Sequence, residues 1–447
     1  MSALRRLILF TRFPEAGRAK TRLIPALGPA GAAALHRRLV LRTLRTGLSA
    51  CRASGAELEI RFDGANEEAL HHWLGDGWLC RSQGAGDLGE KMSRAFEDGF
   101  RQGRTATIII GSDCPDLTPE MLVSAFQRLE QSPVVLGPAT DGGYYLVGLA
   151  RPFPELFCGI TWGTERVLAE SVEILQRIKI KPDLLARLDD IDRPEDLAVW
   201  RRLVEHEEST GPRISVIIPA LNEAAEIVST LDSVQRETPH EVMVVDGGSI
   251  DETRSLAAGS GATVISSRPG RAWQMNAGAA QASGNLLVFL HADTILPSNW
   301  ARTVVESLGC PRVALGAFGF QIAGNLPGKQ IVEWTANWRS RWCKLPYGDQ
   351  ALFLRRATFE EEGGFADLPI MEDYEFVRRL RRRGRIITVA EKALTSARRW
   401  QRFGVLHTTL RNQLIIAGYH LGMNPRTLAE FYRRRQKGLV PKNNGKE

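Results

Sequence analysis

The chain has 447 residues, of which 43% are hydrophobic and 24% charged, and its formal net charge is +7. This length exceeds one ordinary core and predicts two globular domains, while six scattered cysteines without a Cys-x-x-Cys pair argue against a disulfide framework or a zinc site. Because no signal peptide or membrane-spanning apolar run is visible, we expect a cytoplasmic protein whose positive charge favours anionic partners.

The first predicted strand, residues 7–10, leads into an irregular loop that is rich in cations. Such a loop at the end of a strand can surround a triphosphate or a sugar phosphate, with arginine as a fork and lysine as a point charge. The candidate nucleotide contacts are Arg12, Arg18, Lys20 and Arg22. A solvated basic loop without a ligand explains these residues equally well.

Acidic and glycine-rich turns follow the later strands of the first half. Asp113 comes directly after an apolar strand, and Asp192 precedes a predicted helix start, so both are candidate metal ligands. At Asp141-Gly142-Gly143 two glycines let the backbone approach a ligand closely. Asp141 and Gly142 are therefore further candidate nucleotide contacts.

Four motifs occur in order within residues 1–205. They are Pro14-x-x-Gly17-Arg18-x-Lys20-Thr21-Arg22-Leu23, Gly-Ser-Asp113-x-Pro-Asp116, Asp141-Gly-Gly-Tyr and Asp-Ile-Asp192-x-Pro-Glu-Asp. This set resembles a nucleotidyltransferase-like glycosyltransferase family, distantly similar to the guanylyltransferases of molybdenum-cofactor and deazaflavin-cofactor synthesis. The resemblance implies a GT-A-type α/β domain. Three roles stay open: a nucleotidyltransferase that makes an activated donor, a second transferase, or a non-catalytic nucleotide-binding module.

Residues 206–213 pass from a charged helix end into Ser-Thr-Gly-Pro, which predicts a short exposed linker. The second domain then spans residues 214–447. Its strands and helices alternate again, as in a parallel, doubly wound sheet. Asp246 follows a strand and has glycines beside it, so it can accept hydrogen bonds from a base or a ribose. Arg271 follows, near where a diphosphate would lie.

An uncharged run at residues 288–290 ends abruptly in His291-Ala292-Asp293. This pattern predicts a buried parallel strand that delivers both polar side chains at its carboxyl end, where open α/β sheets bind ligands. A carboxylate there can hold Mg²⁺ or Mn²⁺ against a nucleotide diphosphate, which makes Asp293 and His291 candidate metal ligands. The plainer alternative is an aspartate that ends a strand and caps the next helix.

The motifs from residue 214 to about residue 403 resemble family-2 glycosyltransferases of GT-A fold. They are Pro-x-x-Asn222-Glu223, Val-Val-Asp246-Gly-Gly-Ser-x-Asp251, Gly270-Arg271-x-x-Gln274-Met-Asn276-x-Gly278, His291-Ala-Asp293-Thr294 and Glu372-Asp373. The resemblance implies a metal-dependent, inverting transfer of a sugar from a nucleoside-diphosphate-sugar donor to an acceptor hydroxyl. It gives the catalytic role to the Glu372-Asp373 pair, with Asp373 as the base, and places Arg399 and Trp400 near the donor or acceptor. The donor contacts that it implies are Pro219, Asn222, Glu223, Asp251, Arg271, Gln274 and Asn276. The nearest likeness is to a subgroup described as arsenosugar-biosynthesis glycosyltransferases.

The rest of the second half carries two helical patterns. Trp334, Trp338 and Trp342 recur at helical spacing, which favours a packing stripe over a sugar-binding platform. From Val405 onward a basic amphipathic pattern allows peripheral contact with the inner face of an anionic membrane, but packing on the sheet or on a partner subunit is favoured. Since the arginine runs lack interleaved aromatics, we do not expect a nucleic-acid partner.

Overall fold

The computed structural model describes residues 4–209, 211–403 and 405–437. The chain divides into two compact units, Met1–Gly211 and Pro212–Glu447. This division falls inside the segment 206–213 for which a linker is predicted. Half of that segment is helical, however, because good helix formers continue the last helix of the first unit until Gly211 and Pro212 interrupt the pattern.

Over its described residues, the first unit forms one seven-stranded sheet. Its strands are β1 (Arg5–Arg12), β2 (Glu57–Asp63), β3 (Leu79–Ser82), β4 (Ala106–Ile110), β5 (Val134–Pro138), β6 (Tyr144–Leu149) and β7 (Asp183–Leu184). The order is β3-β2-β1-β4-β6-β5-β7, with β3, β2, β1 and β4 parallel and β6 antiparallel to both neighbours. Its helices are α1 (Ile24–Ser54), α2 (Glu67–Leu74), α3 (Leu88–Arg101), α4 (Pro119–Arg128), α5 (Val167–Arg177) and α6 (Leu197–Ser209).

Strand β1 is apolar on both faces because helices cover both of them. Leu7 faces α1 at Gly47, where an added Cβ would lie 3.2 Å from the leucine. The next residue, Ile8, packs on the opposite face in a cluster that includes Phe96 of α3. The continuous apolar run at residues 7–10 therefore becomes a central strand, as predicted.

The described part of the second unit forms an eight-stranded sheet. Its strands are β8 (Ile214–Ala220), β9 (Glu241–Asp246), β10 (Thr263–Ser266), β11 (Leu286–Phe289), β12 (Thr294–Ile295), β13 (Val313–Ile322), β14 (Leu352–Arg355) and β15 (Arg385–Thr395). The order is β10-β9-β8-β11-β14-β13-β15-β12, in which β10, β9, β8 and β11 are parallel and β14 is antiparallel to both neighbours.

Ten helices of the described chain belong to this unit. They are α7 (Ile227–Gln235), α8 (Thr253–Gly259), α9 (Arg271–Gln281), α10 (Trp300–Leu308), α11 (Lys329–Trp342), α12 (Arg356–Glu361), α13 (Glu372–Leu380), α14 (Arg398–Phe403), α15 (Val405–His420) and α16 (Pro425–Lys437). The predicted fold class, two α/β domains with mostly parallel sheets flanked by helices, is confirmed.

In both sheets the strand order reverses beside the first strand of the unit. The chain moves from β8 outward through β9 and β10, and then returns to place β11 on the other side of β8. In the first unit β4 returns beside β1 in the same way. Crevices at the carboxyl ends of such strands are the usual ligand sites of open α/β sheets.

Two further findings concern the surface. The tryptophans of α11 do not form the predicted packing stripe, since Trp334, Trp338 and Trp342 are 67%, 49% and 75% exposed. That prediction was wrong because helical periodicity identifies a face but not the direction in which it points. Across the portion of the chain that can be described, no helix is both long and apolar enough to cross a membrane.

Candidate active site

A cavity of about 780 Å³ lies beyond the carboxyl ends of β8 and β11 in the second unit. Residues from separate parts of the chain meet there, as the strand order requires. Of the predicted site residues, those that line it are Pro219, Glu223, Arg271, Gln274, His291, Asp293, Glu372, Asp373 and Trp400. The side chain of Arg399 lies outside the part of the chain that the structure describes.

Asp293 enters the cavity one turn past β11, and an arginine lies against it. The Arg398 Nη2 atom lies 3.5 Å from Asp293 Oδ2 and also donates to Glu223, while its Nε lies 3.4 Å from Glu226 Oε1. Burial alone would lower the pKa of Arg398, but these three carboxylates outweigh it and raise that pKa. The sequence motifs predicted Arg399 and Trp400 as site residues and did not predict Arg398.

The surroundings of Asp293 fit a divalent cation that is shared with a substrate. Within the described residues no group of three or more His, Cys, Asp or Glu side chains is arranged to hold a metal ion. Mg²⁺ commonly uses only one or two carboxylates and completes its shell with water and substrate phosphates. Asp293 is part-exposed in the cavity and supplies such a carboxylate.

His291 faces a different neighbour. A Cβ added to Gly348 would lie 2.9 Å from His291 Nε2 and 3.2 Å from Asp373 Oδ2, so the ring and the carboxylate flank the same glycine. The structure therefore brings His291 close to Asp373, and its predicted role as a metal ligand stays a prediction.

The two acidic residues at the start of α13 have different environments. Asp373 is part-exposed, and its Oδ2 accepts a hydrogen bond of 2.7 Å from the Gly348 N–H. Glu372 is buried, and burial together with the charge of Asp373 raises the pKa of Glu372 to about 7, against the opposing effect of Arg271 at 3.9 Å. The helix N-terminus favours negative charge at both positions.

Trp400 lies in the wall of the cavity and is almost fully buried. Its ring packs against Phe320 with 5.8 Å between centroids. Gln274 also lines the cavity, but its Nε2 donates to the carbonyl oxygens of Ala220 and Val245 at 2.8 and 2.7 Å. It therefore ties α9 to the ends of β8 and β9, and shapes the floor of the site.

Four predicted nucleotide contacts do not line this cavity: Asn222, Asp246, Asp251 and Asn276. Asp246 is buried and accepts from the Gly248 and Ser249 amides at 3.1 and 3.2 Å. Asn276 exchanges two hydrogen bonds of 2.9 Å with the backbone of Phe365.

Asn222 and Asp251 likewise serve the loops after β8 and β9. Asn222 Oδ1 accepts from the Ile250 amide at 2.9 Å, and Asp251 accepts from the Thr253 side chain and from the Ala224 amide. A polar residue at the end of a strand can bind a ligand or can hydrogen-bond the backbone of its own loop. The sequence does not distinguish these two roles, whereas the structure does.

The first unit has an equivalent cavity of about 700 Å³ beyond β1 and β4. Its lining includes the predicted residues Arg12, Arg18, Lys20, Arg22, Asp113, Asp141 and Asp192. Gly142 does not line it; this residue has φ +88°, and an added Cβ would lie 2.1 Å from the Glu165 carbonyl oxygen. Its glycine is required by the close packing of the turn.

Lys20 lies between the two carboxylates that were predicted to hold a second metal ion. Its Nζ is 2.8 Å from Asp113 Oδ1 and 3.6 Å from Asp192 Oδ1, and donates to the Ile191 carbonyl at 2.6 Å. Burial would raise the pKa of Asp113, but Lys20 and His36 outweigh it and lower that pKa. A divalent cation does not fit between these carboxylates while the ammonium is there.

Comparisons with known proteins agree with the division into two units. Residues 44–164 match a family described as an uncharacterized protein conserved in bacteria (DUF2064), and residues 215–365 match glycosyl transferase family 2. A putative nucleotide-diphospho-sugar transferase from Desulfovibrio desulfuricans G20 is a similar solved structure. It is 31% identical over 45% of this chain and 87% of that chain, with a TM-score of 0.42.

Two curated relatives are similar over a shorter stretch. Glucosyl-3-phosphoglycerate synthase of Mycobacterium tuberculosis is 38% identical over 99 residues, which are 20% of this chain and 31% of that protein. A PGL/p-HBAD biosynthesis glycosyltransferase of Mycobacterium bovis is 42% identical over 95 residues, 19% of this chain and 37% of that protein. The chain thus covers about a third of each relative. Residues 215–365 are therefore similar to glycosyltransferases, and a glycosyltransferase activity of this chain is a proposal.

Proposed function

We propose that the second unit transfers a sugar from a nucleoside-diphosphate-sugar to an acceptor hydroxyl, with inversion at the anomeric carbon. One observation carries the proposal: Asp293 and Asp373 come from different elements and line one cavity at the sheet's reversal point. Such a cavity provides a place for the leaving diphosphate beside Asp293 and an acceptor beside Asp373. A role in arsenosugar biosynthesis, which the sequence resemblance implies, stays a prediction.

The leaving diphosphate needs positive charge as the glycosidic bond breaks. Asp293 would hold Mg²⁺ or Mn²⁺ there, and the ion supplies Lewis-acid stabilisation of the diphosphate. Arg271, half-exposed in the cavity, adds a fixed cation, and Arg398 beside Asp293 adds a second. Both arginines can contact phosphate oxygens in a bidentate manner.

The acceptor hydroxyl must lose its proton while it attacks the anomeric carbon. Asp373 is the base in this proposal because it is part-exposed in the cavity, whereas Glu372, which also lines the cavity, is only 5% exposed. The 2.7 Å hydrogen bond from Gly348 fixes one carboxylate oxygen. His291, whose Nε2 and the Asp373 Oδ2 lie near the same point beside Gly348, helps to define the acceptor's place.

The test is Asp373→Asn, assayed for donor turnover and separately for nucleoside-diphosphate binding. Because positioned base catalysis contributes about 10²–10⁴-fold, we expect kcat to fall by that factor while nucleotide affinity stays the same. Asp232→Asn, at an exposed position of α7, is the matched control. Near-normal turnover in Asp373→Asn, or a defect confined to nucleotide binding, would contradict the assignment.

For the first unit we infer a phosphate-binding role. Arg12 and Arg18 are 56% and 70% exposed at its cavity, so both can reach a ligand. Three forms of this role differ in chemistry: a nucleotidyltransferase that makes the donor, a second transferase, and a non-catalytic nucleotide-binding module. Pyrophosphate release from a nucleoside triphosphate and a sugar phosphate by the full chain, abolished in Arg18→Gln, supports the first form. Nucleotide binding without release supports either of the other two.

A further inference from the structure

Helix α11 presents an apolar stripe to the outside of the second unit. Ile331, Trp334, Trp338 and Trp342 are 68%, 67%, 49% and 75% exposed. Their spacings of three, four and four residues place them on one face of an α-helix. Large exposed apolar patches of this kind mark interaction sites rather than ordinary surface.

The opposite face of α11 is held to the sheet by polar side chains. Asn337 accepts from the Phe320 amide at 2.8 Å and donates to the Phe320 carbonyl at 2.9 Å. Glu333 accepts from the Ile322 amide at 2.9 Å. Val332 and Ala336 also pack inward, on a cluster that includes Phe320, so the exposed stripe is additional to the apolar face that an ordinary surface helix buries.

The charges around the stripe indicate its partner. Arg341 and Lys344 are exposed beside Trp342, whereas Glu333, the one acidic residue in the α11 sequence, is directed at β13. The outward face is therefore apolar and positive. A second copy docked through the same face would bring like charges together. An anionic lipid surface complements both properties, since tryptophan favours the headgroup region and cations bind anionic lipids.

We propose that α11 binds the surface of an anionic membrane, with its tryptophans at the headgroup level. Just past the helix, Tyr347 lines the candidate active site, and the Arg339 guanidinium lies 3.4 Å from the centre of the Tyr347 ring. Membrane binding through α11 thus places the cavity close to the lipid surface. This peripheral contact uses a different helix from the C-terminal ones considered in the sequence.

The experiment is sedimentation of the full chain with vesicles of phosphatidylglycerol and phosphatidylcholine, compared with vesicles of phosphatidylcholine alone. We expect binding to the anionic vesicles. Trp334→Gln and Trp342→Gln should each lower the partition coefficient about tenfold, because each removes one aromatic side chain that the lipid would bury. Ile250→Gln, at an apolar position 94% exposed outside α11, is the control and should bind normally. Thermal unfolding curves check that each variant is folded.

A second pair of variants tests the charge. Arg341→Gln and Lys344→Gln should weaken binding to anionic vesicles and reduce its salt dependence. Equal binding of the native chain to both vesicle types, or undiminished binding of folded tryptophan variants, overturns the proposal. The proposal is also overturned if the native chain does not bind vesicles but forms a dimer, and if Trp342→Gln converts that dimer to a monomer. Asp373→Asn should bind vesicles normally, which separates this test from the test of catalysis.

Discussion

In each unit a cationic side chain lies against an aspartate that follows a strand, but the cation is much more deeply buried in the first unit than in the second. In the first unit Lys20, 4% exposed, lies against Asp113 and Asp192. In the second unit Arg398, 43% exposed, lies against Asp293 and Glu223. Both aspartates follow a strand beside the reversal point of their sheet.

The difference in burial decides what each aspartate can do. Lys20 is enclosed and also satisfies the Ile191 carbonyl, so its departure would leave several polar groups without a partner. Arg398 is 43% exposed, so water can solvate it after it leaves Asp293. An entering metal ion can therefore displace Arg398 at low cost, whereas Lys20 remains the cation of its own site.

The largest expected effect is on metal-dependent nucleotide binding. Asp293→Asn should abolish the gain in nucleoside-diphosphate affinity that Mn²⁺ gives, a loss of about 10–100-fold, because the carboxylate ligand is removed. Asp113→Asn should leave that gain unchanged, since Lys20 already occupies its carboxylate. Titration calorimetry of the full chain with and without Mn²⁺ measures both. An equal loss in the two variants would show that the two sites do not differ in this way.

The sequence predicted the parts of these sites that depend on short stretches of chain. Apolar runs located β1, β8 and β11, and several polar residues after them line the cavities, among them Glu223 and Asp293, whereas Asn222 holds a loop instead. The position of Lys20 was not predictable, because its partner Asp192 is distant in sequence and the contact depends on the tertiary fold. Arg398 and Arg399 differ by one position at a helix start, so the motif alone does not show which one faces Asp293.

The second expected effect is on the free energy of unfolding, and it depends on how deeply the cationic side chain is buried. Lys20→Met should lower the free energy of unfolding of the first unit by about 2–3 kcal/mol, because it leaves two carboxylates and a carbonyl without their cation. Arg398→Met should change the second unit by less than about 1 kcal/mol, as for other exposed ion pairs. Denaturant unfolding, followed in the full chain and resolved into its two transitions, gives both values. A cost for Arg398→Met as large as that for Lys20→Met would remove the distinction drawn from burial.

The smallest expected effect is on how stability changes with pH, and its sign is opposite in the two units. In the first unit the pKa of Asp113 is lowered from 3.8, so the stability from this group is present above that value and is lost as the pH falls through the folded pKa. In the second unit the pKa of Glu372 is raised from 4.5 to about 7. The folded state therefore holds this proton more tightly, and the stability it contributes is lost as the pH rises from 4.5 through about 7.

Glu372→Gln isolates the contribution of the second unit, because glutamine keeps the shape of the side chain and cannot ionise. Between about pH 5 and about pH 8 the native second unit should lose about 1 kcal/mol relative to this variant, the order of magnitude that the raised pKa of Glu372 implies. Glu375→Gln on the same helix, where the glutamate pairs with Arg379, is the control and should keep the native pH dependence. If Glu372→Gln also keeps the native pH dependence of stability, the buried Glu372 carboxyl is not the source of that dependence. The contrast with Asp113 then fails.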